Sequence, residues 1–217
     1  VPMHLFAADA GGDPAGSVLV STVTDDSGWY RFDDLAAGAY VVVADVANAP
    51  ALAHWAGSAG TASDTTLTGD GKDHGRDTPV SIGSVVDGIA SVAVTVGPGA
   101  QPEGEDTGEG AGANSPYGDS RDNLTVDFGF TPTYSIGNWV FKDLDNSGDS
   151  ALETIDTYGI SNVTIRLYVA DGSGMPTGQT VSAMSTCACG FYRFDGLLPG
   201  TYVAVVDVAA SPALENF

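Results

Sequence analysis

The amino-acid sequence predicts an all-β protein built from Greek-key β-sandwich domains repeated along the chain. Short runs of β-branched residues, bounded by turn residues, follow one another through 217 residues that include 29 Gly and 11 Pro. No stretch of helix length shows the 3.6-residue period of an amphipathic helix. Several short strands at regular spacing are typical of a β-sandwich. The predicted strands are 41–43, 80–82, 89–96, 124–130, 136–141, 163–169 and 202–206.

An internal repeat fixes the organisation of the chain. Residues 163–217 align with residues 1–55 without a gap, at an offset of 162, and about 24 of the 55 pairs are identical. The best-matched stretches are GWYRFDDL at 28–35 and GFYRFDGL at 190–197. The alternation of apolar side chains in these stretches places the aromatic residues in the core. A period of this length indicates a repeat unit of one β-domain.

The repeat divides the chain into two incomplete units. We predict a first domain over 1–132 that lacks its first strands, and a second over 133–217 that is truncated on its C-terminal side. Residues 98–120 are rich in Gly, Asp and Glu, which predicts a long acidic loop. A unit without its first strands exposes a sheet edge, so residues 135–162, or their equivalent from a neighbour, should complete it. The sequence is expected to be an excerpt of a longer mature protein.

The charge balance excludes several partners. With 7 Lys+Arg against 28 Asp+Glu, the formal net charge is −21. No basic patch is available for nucleic acid or for an anionic membrane surface. The hydrophobic fraction of 43 % is too high for a disordered acidic tail. We therefore expect a folded protein without nucleic-acid partners and without membrane insertion in this segment.

Three motifs resemble one known family. The opening run Ser135–Asp143 with Asp145–Asp149, the hairpin-like run Gly190–Tyr202, and the run Asn123–Phe130 occur in the order found in B-type repeats of serine-aspartate repeat surface adhesins. Those repeats are related to the collagen-adhesin B-type, prealbumin-like β-sandwich domains. The resemblance implies an extracellular, stalk-forming sandwich of immunoglobulin-like shape, arranged in tandem and often stabilised by calcium.

The candidate metal site is an acidic loop after the predicted strand 136–141. Ca²⁺ prefers six to eight oxygen ligands. Carboxylates at alternating positions of a loop, with Gly at the sixth position, can surround the ion with such ligands. The twelfth position is Thr154 instead of Glu, so Glu153 or Asp156 would have to close the shell. The alternative is an acidic turn whose side chains bond their own backbone. The candidate ligands are Asp143, Asp145, Ser147, Asp149, Glu153 and Asp156.

A second acidic group contains Asp70, Asp73 and Asp77 with His74. By the family resemblance such residues add to calcium binding, whereas by composition they form a solvated loop. A zinc site is not expected, because no Cys or second His accompanies His74.

Cys187 and Cys189 form a Cys-Ala-Cys at the tip of a predicted hairpin and align with Asp25 and Ser27. A secreted chain favours a local disulfide, although so short a ring is strained. The alternatives are a crosslink to a neighbouring chain and free thiols. Further hairpin turns are predicted at 25–28 and 198–201.

Enzyme motifs for a nucleophile elbow, a phosphate-binding loop or a zinc protease are lacking, which predicts a protein without catalytic activity. We therefore expect an extracellular tandem-repeat stalk or filament subunit of the cell surface, rigidified by Ca²⁺. Its predicted partners are neighbouring repeats in a homopolymer, and a host or matrix ligand. The alternatives are a carbohydrate- or protein-binding adhesin module, and an accessory domain of a secreted hydrolase.

Overall fold

The computed structural model describes residues 1–63, 72–76, 78–102, 121–150 and 155–215. The chain forms two compact units, Val1–Thr131 and Pro132–Phe217. Each unit is built around strands that carry alternating buried side chains, and each is described separately below.

The first unit contains a six-stranded sheet. Its strands follow the order β2-β1-β3-β6-β5, with β7 also paired to β3, and these pairs are antiparallel. A separate two-stranded pair joins β4 to β8. The strands are β1 (Pro2–Ala8), β2 (Pro14–Val23), β3 (Gly38–Ala44), β4 (Trp55–Gly57), β5 (Val80–Ile82), β6 (Val85–Ala90), β7 (Val94–Val96) and β8 (Phe130–Pro132).

The second unit has two smaller antiparallel sheets, of order β11-β10-β13 and β12-β9. Its strands are β9 (Tyr134–Trp139), β10 (Thr164–Ala170), β11 (Pro176–Ser185), β12 (Phe191–Leu197) and β13 (Tyr202–Val206). The helix α1 (Ile155–Tyr158) is a single turn. Short 3₁₀ turns occur at Pro50–Leu52 in the first unit and at Val208–Ala210 and Pro212–Leu214 in the second.

Side chains alternate between the two faces of each strand, and this alternation explains which residues form the cores. On β10, Ile165 and Leu167 lie on one face and pack with Phe194 and Leu197 of β12, which belongs to the other sheet. In the first unit, Met3 and Leu5 occupy the aligned positions of β1 and are likewise buried. The predicted all-β, sandwich-type fold class is confirmed.

One tyrosine recurs at the start of the third strand of each sheet. The hydroxyl of Tyr40 donates to the carbonyl oxygen of Ala36, and that of Tyr202 donates to Leu198, both at 2.8 Å. A tyrosine that bonds backbone a few residues upstream is a feature of immunoglobulin-like sandwiches. Both units therefore form the same hydrogen bond from tyrosine to backbone where the chain enters this strand.

The predicted strand 89–96 is interrupted. The structure has β6 and β7 instead, separated at Ser91. The buried Ser91 hydroxyl accepts from the amide of Val42 at 3.0 Å and donates to the carbonyl of Val92 at 2.7 Å. The Ser91 side chain thus accepts a hydrogen bond from a backbone amide that would otherwise pair within a continuous β-ladder.

The predicted strand 124–130 is wrong except at its end, where β8 begins. Local bonds replace the ladder: Asn123 Oδ1 accepts from the amide of Thr125 at 3.1 Å and from its hydroxyl at 2.8 Å. The amide of Asp127 bonds back to the carbonyl of Thr125 at 3.1 Å. Asn and Thr side chains offer the backbone this alternative to sheet pairing.

The predicted hairpin turns are also wrong. The turn at 187–190 connects β11 to β12, but these strands pair with β10 and β9 respectively. The turn at 198–201 likewise joins strands of different sheets, β12 and β13. The turn at 25–28 leads from β2 into residues that form no strand. In a sandwich, a tight turn can carry the chain from one sheet to the other, and sequence shows only the turn.

Candidate functional site

The acidic loop after β9 folds its carboxylates inward onto the backbone. Asp143 Oδ1 accepts from the amide of Ser147 at 3.1 Å, and its Oδ2 accepts from the amide of Gly148 at 2.9 Å. Asp145 Oδ1 accepts from the same Ser147 amide at 3.0 Å. Asn146 and Gly148 have φ values of 56° and 72°, which allows the chain to wrap this tightly. Two carboxylates therefore meet at one backbone nitrogen.

The hydrogen bonds of this loop favour ionised carboxylates. Hydrogen bonding from Ser147 holds the pKa of Asp145 below its usual value. The Ser147 hydroxyl donates to the carbonyl of Asp149 at 3.2 Å, and the Asp149 amide contacts the same hydroxyl oxygen at 3.2 Å. The loop thus gathers two carboxylates, a hydroxyl and a carbonyl, all hard oxygen donors.

The loop differs from the ordinary acidic turns of the same chain. At Asp9, one carboxylate oxygen accepts from the amides of Gly11 and Asp13 at 2.8 and 2.9 Å. Asp171, the aligned residue of the second unit, does the same with Ser173 and Met175. Each of those turns uses a single carboxylate. A second carboxylate at the same amide adds like-charge repulsion, which a bound cation would relieve.

This donor set fits Ca²⁺ in chemistry but provides only part of a shell. Carboxylate oxygens keep free lone pairs after accepting one amide bond each, so Asp143 and Asp145 can still bind a cation. Within the described residues, no three His, Cys, Asp or Glu side chains are grouped so that they could hold a metal ion. Glu153 lies outside the described residues, and Asp156 lies in α1, where only the backbone is described. The remaining ligands of the predicted site would come from these two residues.

The second acidic group is described only at Asp73 and His74, because Asp70 and Asp77 lie outside the described residues. His74 is fully buried. Its amide donates to the carbonyl of Asp127 at 2.9 Å, and its Nδ1 accepts from the Asp127 amide at 3.4 Å. His74 therefore joins two backbone segments of the first unit, which is a structural role.

Sequence reasoning missed Asp122. Its side chain is 8 % exposed, and within the described part of the chain neither of its carboxylate oxygens has a hydrogen-bond partner. Asp73 Oδ2 is also buried and has no hydrogen-bond partner among the described residues. Nothing in the sequence distinguishes Asp122 from the many other acidic residues, since burial is the property that sets it apart.

The Cys-Ala-Cys turn reproduces an Asp-containing turn of the first unit. Asp25 Oδ1 accepts from the amides of Ser27 and Trp29 at 2.9 and 3.0 Å. In the second unit the aligned Cys187 takes this place, and the Sγ atoms of Cys187 and Cys189 lie 3.1 Å apart as free thiols. Hydrogen bonding from Cys189 lowers the pKa of Cys187, while the pKa of Cys189 is raised. The disulfide between them stays a prediction.

Comparison with known proteins finds a family model that matches the second unit. The family model for the SdrD B-like domain matches residues 134–214, from the first residue of β9 to the final 3₁₀ turn. Residues 134–214 are thus similar to the SdrD B-like domain. The resemblance to B-type repeats of serine-aspartate repeat proteins is thereby confirmed. No solved structure matches the chain.

Similar proteins come from staphylococci. Serine-aspartate repeat-containing protein I of Staphylococcus saprophyticus is 28 % identical over 193 residues, which are 88 % of this chain and 8 % of that protein. The bone sialoprotein-binding protein of Staphylococcus aureus is 28 % identical over 200 residues, 91 % of this chain and 13 % of that protein. The fibrinogen-binding protein of Staphylococcus epidermidis is 35 % identical over 89 residues, 40 % of this chain and 7 % of that protein. The chain thus spans a small part of each relative.

Within the described residues, no helix has the length and apolar character needed to cross a membrane.

Proposed function

We propose that this chain is a segment of a non-catalytic, extracellular tandem-repeat protein that serves as a stalk or filament of the cell surface. The proposal is supported above all by the internal repeat, in which residues 163–217 align with residues 1–55, and by the match of residues 134–214 to the SdrD B-like domain model. Serine-aspartate repeat-containing protein I, which is similar to 88 % of this chain, is a relative whose name records a repeat-containing protein.

Calcium rigidifies the repeat in this proposal. Asp143 and Asp145 converge on the amide of Ser147, and their mutual repulsion opposes the folded loop. A bound Ca²⁺ attracts both carboxylates, which offsets that repulsion and holds the acidic loop in its folded form. Since a ligand that binds only the folded state stabilises it, Ca²⁺ raises the resistance of the second unit to unfolding.

Single-molecule force spectroscopy tests this role. Tandem copies of the full chain are stretched in Ca²⁺ and again after chelation, together with an Asp143→Asn/Asp145→Asn variant. We expect the unfolding force of the second unit to fall on chelation in the wild type, and to be low in both conditions in the variant.

Asp171→Asn is the matched control, because it alters a carboxylate turn that binds only backbone amides. Its unfolding force should remain sensitive to chelation. An unchanged wild-type force after chelation would exclude the calcium part of the proposal.

A second candidate function is an adhesin module that binds a host protein or a glycan. The names of two relatives favour this function, since one is a fibrinogen-binding protein and the other a bone sialoprotein-binding protein. An array of matrix proteins and glycans tests it with the full chain and with a variant lacking residues 100–118. Specific binding that the deletion abolishes would favour recognition over a purely mechanical role.

A further inference from the structure

The two cysteines of the chain lie on a turn that the first unit also contains. The backbone amide of Cys187 donates to the carbonyl of Phe191, and the Cys187 carbonyl accepts from the amide of Gly190, both at 2.9 Å. In the first unit, residues 25–29 form the same two backbone bonds, at 2.9 and 3.0 Å. The glycine of each turn has positive φ, 84° at Gly190 and 89° at Gly28. The turn therefore forms without sulfur, and its backbone requires no disulfide.

The residues on either side of the cysteines fix the turn to the rest of the second unit. Thr186, which is 3 % exposed, precedes the turn. Its hydroxyl donates to the carbonyl of Ile160 at 2.7 Å and accepts from the amide of Val163 at 3.0 Å. At the other end, the carbonyl of Gly190 accepts from the amide of Val140 at 2.9 Å. Because both ends are held, the two cysteine side chains extend from a fixed backbone.

The first position of this turn favours an anionic side chain. In the first unit, Asp25 Oδ1 accepts from the amides of the residues two and four positions further along the chain, at 2.9 and 3.0 Å. Cys187 occupies this position in the second unit. The thiol of Cys189, and with it the backbone amides of Cys189 and Phe191, lower the pKa of Cys187. The turn that holds a carboxylate in the first unit thus suits a thiolate in the second.

The second cysteine lies next to this sulfur. The Sγ atoms of Cys187 and Cys189 are 3.1 Å apart, which is about 1 Å more than the length of a disulfide bond. Cys187 is exposed, so a reagent in solution can reach its sulfur, whereas Cys189 is only partly exposed. The hydrogen bond to Cys187 raises the pKa of Cys189, which therefore stays protonated while its neighbour ionises. An exposed thiolate beside a protonated thiol is suited to attack followed by resolution.

We propose that Cys187 and Cys189 form a thiol–disulfide exchange site whose substrate is an accessible disulfide of a small molecule or of another protein. Cys187 is the attacking residue and Cys189 is the resolving residue. The disulfide between them is then one state of a reversible site instead of a permanent structural crosslink. This reaction is separate from the calcium loop at 143–149 and adds a chemical activity to the repeat.

The exchange proceeds in two steps. The Cys187 thiolate, whose proton has passed to solvent, attacks one sulfur of the substrate disulfide. A bond forms between Cys187 Sγ and that sulfur, the substrate S–S bond breaks, and the leaving thiolate takes a proton from solvent. Cys189 then loses its proton to solvent and attacks Cys187 Sγ, which releases the second substrate sulfur as a thiol after protonation. The two cysteines are thereby oxidised by two electrons, and one substrate disulfide is reduced to two thiols.

The oxidised pair should be easy to reduce again. Only Ala188 separates the two cysteines, so the ring that their disulfide closes is short and strained. Strained and exposed disulfides have higher reduction potentials than structural ones. The turn should keep its backbone bonds in both states, because residues 25–29 form them without any cysteine. We therefore expect exchange in either direction without unfolding of the second unit.

Reaction of the full chain with oxidised glutathione tests the proposal. The chain is reduced, freed of reductant and mixed with oxidised glutathione, and acid-quenched samples are analysed by intact mass and peptide mapping. We expect the wild type to lose two hydrogens without accumulating an adduct, and to regain them in excess reduced glutathione. Cys189→Ser should accumulate one glutathione on Cys187. Cys187→Ser should react about tenfold slower or more, because its remaining thiol is less ionised.

Both variants should keep the turn, since the first unit forms it with Asp25 and Ser27 at these positions. Thermal unfolding of each variant checks this, and Cys187→Ser/Cys189→Ser is the unreactive blank. A second arm replaces glutathione with insulin and measures newly formed insulin thiols. Reaction in either arm supports the site and shows whether it accepts a small or a protein disulfide.

Four outcomes would overturn the proposal. The first is absence of reaction in both arms. The second is a glutathione adduct that persists on the wild type, because no cysteine would then resolve it. The third is an equal rate in the two single-cysteine variants, which would remove the distinction between attacking and resolving residues. The fourth is an oxidised pair that resists excess reduced glutathione, which would indicate a structural disulfide.

Discussion

The hydroxyl group of Tyr30 donates a hydrogen bond of 2.6 Å to the carbonyl oxygen of Val126. The bond joins the non-strand segment 29–35 to the segment that ends the first unit, since Tyr30 and Val126 are 96 residues apart. Burial of the side chain raises the pKa of the Tyr30 hydroxyl, so the group stays protonated and remains a donor. The aromatic face of the segment is thereby fixed to the core, although no strand of the described residues pairs with it.

Removing this hydroxyl should destabilise the first unit. Tyr30→Phe leaves the Val126 carbonyl without this donor, which costs about 1–2 kcal/mol of unfolding free energy. Denaturant unfolding, with exchange mass spectrometry to assign the transition to a unit, measures the loss. Tyr192→Phe is the matched control in the second unit and should cost less. Equal losses would contradict the importance of the bond.

Substitution of the aligned glycines should have unequal effects. Gly28→Ala and Gly190→Ala both place a side chain at positive φ, which costs about 1–2 kcal/mol. Gly190→Ala should cost clearly more, because its Cβ overlaps the Val140 carbonyl oxygen and crowds Gly159. Thermal unfolding of the two variants provides the comparison. Equal losses in Gly28→Ala and Gly190→Ala would contradict the difference in crowding between the two glycines.

The ion pair between Arg166 and Asp207 should make the second unit sensitive to acid. Arg166 Nε donates to Asp207 Oδ2 at 2.7 Å, and this bond lowers the pKa of Asp207 from its ordinary value of 3.8. Because the folded pKa lies below the unfolded one, the stabilisation is complete above pH 3.8 and is lost as the pH falls through the folded pKa.

Asp207→Asn should therefore flatten the dependence of melting temperature on pH in that acidic window. Asp195→Asn, which removes a more exposed carboxylate beside Arg193, is the control and should leave the dependence largely intact. The same slope in wild type and Asp207→Asn would show that the pair does not contribute.

The two cysteines should react at different rates once reduced. The lowered pKa of Cys187 gives it more thiolate than Cys189 below pH 9, so alkylation should modify Cys187 first. Peptide mapping after limited iodoacetamide treatment measures the order. A Cys187→Asp/Cys189→Ser variant copies the turn at Asp25 and should retain the stability of the second unit. Faster modification of Cys189 would contradict this account of the turn.

The predicted strands coincide with five of the 13 described strands, β3, β5, β9, β10 and β13, whereas β1, β2, β4, β11 and β12 were not predicted. Two wrong predictions have local causes. The strands β5 and β13 lie where alternation and β-branched residues placed them, because both follow directly from period and turn signals. The break at Ser91 and the loss of strand at 124–129 come from side-chain bonds to backbone that no periodicity reveals. Residues 29–35 show most clearly what local sequence leaves undetermined. They form no strand, whereas the near-identical residues 191–197 form β12, which pairs with β9.

The residue types of the candidate site could be predicted from the sequence, but the geometry of the site could be predicted only in part. Alternating acidic residues and Gly148 marked the loop, and the structure brings Asp143 and Asp145 together on one amide. The same residue types also form the plain turn at Asp171, so the pattern alone does not separate a cation loop from a backbone-bonded turn. The separation depends on how many carboxylates converge, which is a property of the folded loop.

Calcium dependence of thermal unfolding tests the central claim most directly. Scanning calorimetry of the full chain is recorded in excess Ca²⁺ and after chelation, beside the Asp143→Asn/Asp145→Asn variant. At about 100 times the dissociation constant, Ca²⁺ should stabilise the folded chain by about 2.7 kcal/mol and raise the melting temperature of the second unit by about 10 °C or more. The variant should show no such shift. Identical wild-type transitions in both buffers would contradict a calcium-rigidified repeat.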